Sequence, residues 1–187
     1  MVILVALAAL ILTAPVPIRK EIIIDIKPLN YSEQEKIKLS IAVDLLSKIV
    51  NSEEYKQRVI HTNFPETRFD GYGVYHRVMS CRELSSFEDD NAMSFYVSMY
   101  NRENDIIGWT TFDANIVYTN RYYHSWYTPC QVAANLMHEW MHQLGFDHDD
   151  SKDWDIKGKT VPYAHNDIVM ELCYLAEYND LTPILDK

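Results

Sequence analysis

Eleven consecutive residues hold most of the chemistry this chain can do: His138-Glu139-Trp140-Met141-His142-Gln143-Leu144-Gly145-Phe146-Asp147-His148. They fit the spacing H-E-x-x-H-x-x-G-x-x-H at all five fixed kinds of position. On a helix, residues four apart lie on one face, one turn above the other, so His138 and His142 can offer ring nitrogens to one ion. Glu139 stands beside them, within reach of a water on that ion. Gly145 can take positive φ, which ends the helix and turns the chain. His148 then returns as a third ligand. Three protein ligands leave a fourth position open, and an open position marks a catalytic zinc site (Zn2+) rather than a structural one. A surface helix that happens to carry histidines explains neither Glu139 nor Gly145.

The flanking residues supply the helix that this spacing needs. Thr128 reads as its N-cap, Pro129 as its first residue and Gln131 as the partner in a capping box. Ala133, Ala134, Met137, Met141 and Leu144 follow at helical spacing as a buried stripe. Gly145 closes the helix after about four turns.

With these residues in view, the chain resembles the metzincins, a clan of zinc peptidases with the same extended motif. The likeness is tight over residues 138 to 148 and loose elsewhere. It implies His138, His142 and His148 as zinc ligands, Glu139 as general base, and a cleft that binds peptide beside an edge strand. Asp149 follows the third histidine, as an acidic residue does in several metzincin families. The clan also places a methionine in a tight turn beneath the zinc. The only methionine after the histidines is Met170, whose neighbours Asp167 to Leu172 look helical. Either the last helix starts after Met170, or Val161-Pro162-Tyr163-Ala164 provides the floor of the site. A Tyr163 phenol there could donate to a developing oxyanion. A simply packed tyrosine is the plainer reading.

Composition bounds the rest. A chain of 187 residues suits one domain, here with an N-terminal lobe over 15–145 and a C-terminal lobe over 146–187. Hydrophobic residues make up 48%, a globular composition. The formal net charge is −10 and no basic cluster appears, which argues against nucleic acid as a partner. Val2 to Leu12 is an apolar run too short for a comfortable membrane span. It has the length of a signal-peptide core, and Leu12-Thr13-Ala14 resembles a cleavage site, so residues 1–14 read as a signal peptide or apolar N-terminal segment. No Lys or Arg precedes the run, which argues the other way. The expectation is a secreted or exported protein (periplasmic or extracellular), a monomer with a peptide or protein substrate. Cys81, Cys130 and Cys173 form no C-x-x-C pair. They leave two readings open: three buried small side chains, or one disulfide and one free thiol.

Along the chain, Glu21 to Lys27 reads as a strand ended by Pro28. Ser32-Glu33-Gln34-Glu35 is a second capping box. It opens a helix of roughly 18 residues with Ile37, Ile41, Leu45 and Ile49 as its apolar stripe, widened by Ala42 and Leu46. A short helical piece follows to Val59. Tyr72 to Met79, Ser94 to Tyr100, Asp105 to Thr111 and Asn115 to Thr119 read as further strands. Residues 160 to 164 read as extended, and a C-terminal helix begins at Asn166. The fold expected is α+β and metzincin-like: a mixed, mostly parallel five-stranded sheet, a backing helix, a zinc-binding helix, and a small C-terminal lobe with a helix. Five Asp in the nine residues from Asp147 could hold Ca2+, but the spacing fits no EF-hand loop, and a solvated acidic loop is the preferred reading.

Of His61, His76, His124 and His165, none has a partner at ligand spacing. The function expected is that of a zinc-dependent endopeptidase. The alternatives are a non-catalytic, zinc-stabilised binding or toxin-like module, and a zinc hydrolase of non-peptide amides.

Overall fold

A computed structural model describes residues 21–86, 90–112, 114–148 and 158–185, those from 177 on by backbone alone. The apolar run at 2–12, the cleavage-like residues 12–14 and most of the acidic stretch that begins at Asp147 lie outside the described residues. The elements run β1 (Ile23–Leu29), α1 (Glu33–Val50), α2 (Glu53–Ile60), α3 (Gly71–Ser80), β2 (Ala92–Tyr100), β3 (Gly108–Thr110), β4 (Ile116–Asn120), α4 (Arg121–Trp126), α5 (Pro129–Gln143) and α6 (Val161–Leu185). This is a mixed α+β fold. Among the described residues the sheet has four strands, in the order β1-β2-β4-β3. The first two pairings are parallel and the last is antiparallel. β1 and β2 are joined through α1 to α3, as a parallel pair requires a long crossover.

The sheet alternates as a half-buried sheet should. Met93, Phe95, Val97 and Met99 of β2 are buried, whereas Tyr96 is exposed. Pro28 does not end β1; it pairs with Val97 inside the strand. β1 is an edge strand, where a missing N–H is tolerated. α1 has its expected capping box: Glu35 N–H donates to Ser32 Oγ, and Ser32 N–H to Glu35 Oε2. Its buried face keeps Ala42, Leu46 and Ile49 of the expected stripe but not its first two isoleucines. Leu39, Ala42, Leu46, Ile49 and Val50 are buried, whereas Ile37 and Ile41 are 62% and 46% exposed. A spacing of strictly four drifts about 40° around a 3.6-residue helix at each step, so the early isoleucines leave the face that packs.

Three further expectations change. Residues 72–79 form helix α3 rather than a strand. Asp70 caps it by accepting from Gly73 N–H at 2.8 Å, and Val74, Tyr75 and Val78 are buried at helical spacing. The alternation over these residues reads as a strand, and the cap and the packing decide for a helix. The strand expected over 105–111 is confined to Gly108–Thr110. Residues 161–164 are the first turn of α6, where a proline costs nothing because its N–H would have no partner anyway.

A disulfide joins Cys130 in the first turn of α5 to Cys173 in α6, with Cα atoms 5.6 Å apart, and Cys81 is a buried free thiol. α5 packs against α6, α1 and β3. None of the helices among the described residues is long and apolar enough to cross a membrane.

Candidate metal centre

α5 begins and ends on specific bonds. Gln131 N–H donates to Thr128 Oγ1 at 3.3 Å, and Thr128 N–H to Gln131 Oε1 at 2.9 Å, with Pro129 at the first helical position. At the other end Gly145 has φ +91°. Its N–H donates to the His142 carbonyl, and Phe146 N–H donates to the Met141 carbonyl. That pair of bonds is a Schellman motif, which satisfies carbonyls the helix would otherwise leave bare. Arg77 Nε–H satisfies a third, that of Leu144, at 3.0 Å.

The turn brings the three histidines together. His138, His142 and His148 each offer a ligand atom within 4.8 Å of the others and could hold a metal ion. The Nδ1–H of His142 donates to the Phe146 carbonyl at 2.8 Å, which leaves Nε2 with the lone pair. Burial pushes the His142 pKa down, favouring the neutral ligating form. His148 Nδ1 is buried without a hydrogen-bond partner among the described residues. A buried ring nitrogen left unsatisfied is costly, and a cation at this cluster suits such a donor set. Three imidazoles fit several first-row metals, zinc among them.

Glu139 lies next to this cluster and is 4% exposed. Burial pushes its carboxyl up to about 8. No hydrogen-bond donor reaches it among the described residues. β3 runs over it. A Cβ at Gly108 would stand 2.9 Å from Glu139 Oε1 and 3.0 Å from Asn135 Nδ2, so only glycine lets the strand pass this closely. A cleft of about 660 Å³ opens here, lined by β3, α5 and the first turns of α6.

Tyr163 faces this cleft, with its ring centroid 4.7 Å from that of His138 and 5.5 Å from that of His148. Met170 also lines the cleft, but from within α6 rather than from a turn. It therefore forms no Met-turn. His165 is not in the cluster; it is fully buried and stacked on Phe64 at 5.8 Å. His61, His76 and His124 are not in the cluster.

Sequence reasoning missed the braces behind α5. Trp140 Nε1–H donates at 2.8 Å to Glu83, a buried carboxylate, and Leu84 N–H donates to the Gln143 carbonyl at 2.8 Å. Gly108 and Asn135 were missed as well, since nothing in their local sequence signals a close approach.

Compared with protein-family models, with curated proteins and with solved structures, the chain finds no match in any of the three.

Proposed function

We propose that this protein is a zinc-dependent endopeptidase of metzincin-like design. The observation that carries the reading is Glu139: a buried carboxyl group one residue from His138, facing the cleft that holds the triad, under the edge strand β3. A purely structural metal site has no use for such a base.

Zinc on three histidines supplies Lewis acidity and brings the pKa of a bound water toward 7. Every other part belongs to the chain. The Phe146 carbonyl holds His142 in its ligating tautomer. Tyr163 packs on two of the ligand rings and limits their rotation. With a cation on the histidines to favour its ionised form, Glu139 would take a proton from the attacking water and deliver it to the leaving nitrogen. Its burial under Gly108 keeps bulk water from competing for that proton. β3 has a free edge among the described residues, and an extended substrate can add to it through backbone hydrogen bonds. Residues Tyr163, Asn166 and Met170 of α6 form the opposite wall. The Cys130–Cys173 disulfide supports an exported, oxidising location.

The test is metal analysis together with peptide cleavage profiling. The purified protein should hold about one equivalent of zinc. Glu139→Ala should keep that zinc and lose about 100- to 10,000-fold in turnover. Near wild-type turnover in this variant, with contaminating proteases excluded, would end the reading.

A further inference from the structure

The cleft above the histidines has walls of one sign. Asp105, Asp147 and Asp167 line it besides Glu139, and among the described residues no lysine or arginine does. The chain as a whole does not offset this, since its formal net charge is −10. A cleft lined by one sign of charge focuses its potential on whatever enters.

Two of these carboxylates converge on the same stretch of α5. β3 runs beside α5 in the same direction: Gly108 stands against Asn135 and Glu139, and Gln143 Nε2–H donates to Thr110 Oγ1 at 3.3 Å. Asp105 and Ile106 precede β3 and so fall toward Gln131, a turn nearer the start of α5. α6 runs the opposite way, because Tyr163 packs on His138 while Cys173 is bonded to Cys130. Asp167 and Met170 therefore lie along that same stretch. Both aspartates are exposed. Asp105 has no ion pair among the described residues, and Asp167 accepts from the neighbouring Asn166 amide at 3.1 Å. Ile106, half exposed, and Met170 add apolar surface to the same cleft. At the floor, Glu139 is 4% exposed and meets no donor among the described residues.

Resting on the peptidase reading above, we infer that this cleft selects a cationic peptide. A lysine or arginine of the substrate lies along Ile106 and Met170, with its charge between Asp105 and Asp167. Long basic side chains suit this shape, because they bury an apolar stem and keep the charged head at the surface. Asp147, beside His142, faces a divalent ion on the histidines, whereas Asp105 and Asp167 stand farther along the cleft and face the substrate.

The experiment uses short synthetic peptides that differ at one position only, as Lys, Arg, Gln or Glu. Their binding is measured on zinc-loaded Glu139→Gln protein, with and without the added pair Asp105→Asn and Asp167→Asn. The Lys and Arg peptides should bind roughly 5- to 10-fold more tightly than the Glu peptide at low salt. Added salt should erode that preference. The double asparagine variant should lose it while keeping its zinc content and its affinity for the Gln peptide. Equal affinity for Lys and Glu peptides, a preference that survives in the double variant, or no binding of any peptide would overturn the inference. Cleavage by the wild-type protein separates the two ideas. Equal cleavage of Lys and Glu peptides removes the charge selection and leaves the peptidase standing. Preferential binding of basic peptides that are never cleaved supports the charge selection and removes the peptidase.

Discussion

The Nδ1–H of His142 donates to the carbonyl of Phe146, four residues on, at 2.8 Å. That carbonyl is where it is because Gly145 turns the chain at φ +91°. One glycine thus governs both the return of His148 and the orientation of His142.

Gly145→Val should accordingly weaken metal binding although it touches no ligand. A residue with a Cβ in left-handed conformation costs about 1 to 2 kcal/mol, and a β-branched one more. The new side chain would also press on Leu84, whose Cδ1 lies 3.3 Å from a Cβ at this position. An affinity loss of about 10-fold or more is expected in chelator competition. Gly145→Asn should be milder, since asparagine tolerates positive φ better. Identical zinc affinity in the wild type and both variants would show that the turn does not set the ligand geometry.

Gly108→Ala should separate metal binding from turnover. The added methyl meets Glu139 Oε1 at 2.9 Å and Asn135 Nδ2 at 3.0 Å, so the carboxylate or the strand must move. Zinc content should stay unchanged, while turnover falls by about 10-fold or more, since small misplacements of a catalytic group are costly. A fully active Gly108→Ala protein would mean that the strand over Glu139 is free to rise.

Acid should destabilise the fold through buried histidines. His165 and His124 are both held down to about 4 from 6.5, in each case chiefly by burial. A depressed histidine pKa means that the unfolded chain binds more protons between those two values. The stability is therefore fully present above about pH 6.5 and is lost as the pH falls toward 4. A shift of that size is worth about 3 kcal/mol for each group. His165→Leu also removes the ring nitrogen Nε2, which is buried without a hydrogen-bond partner. Its melting temperature should fall less steeply between pH 7 and pH 4 than that of the wild type. Parallel curves would place the acid sensitivity elsewhere.

Thiol counting should give a simple pattern. The three cysteines are one disulfide and one buried thiol. A thiol reagent should find none in the native protein, one in denaturant, and three after reduction. The bond closes a loop across 43 positions, worth about 4 kcal/mol on a chain-entropy estimate. Reduction should lower the denaturation midpoint correspondingly, and an unchanged midpoint would show that the bond adds nothing to stability.

The site was more legible in the sequence than the fold. Helix spacing, a capping box and a glycine are local signals, and they sufficed to bring His138, His142 and His148 together and to bound α5. What was hidden depends on contacts between distant segments. Residues 72–79 look strand-like by alternation and become a helix because Asp70 caps them and Val74 and Val78 have a core to enter. Ile37 and Ile41 look buried because they are apolar and regularly spaced, yet the helix turns them outward. Residues 160–164 read as extended, yet from Val161 on they are the first turn of α6. Glu83 under Trp140 and Gly108 over Glu139 left no local trace at all, because each matters only through a residue far along the chain.

The strand over Glu139 divides assembly into two events. The three histidines and the glutamate fall within eleven consecutive residues, so gathering them closes only short loops. An ion can therefore be captured by a stretch that has little more than its own helix. Gly108, which covers the carboxylate, comes from thirty-one residues earlier and arrives only with the assembled sheet. If the histidines take up an ion as proposed, loading can precede the shielding of Glu139, which stays open to solvent until β3 is seated.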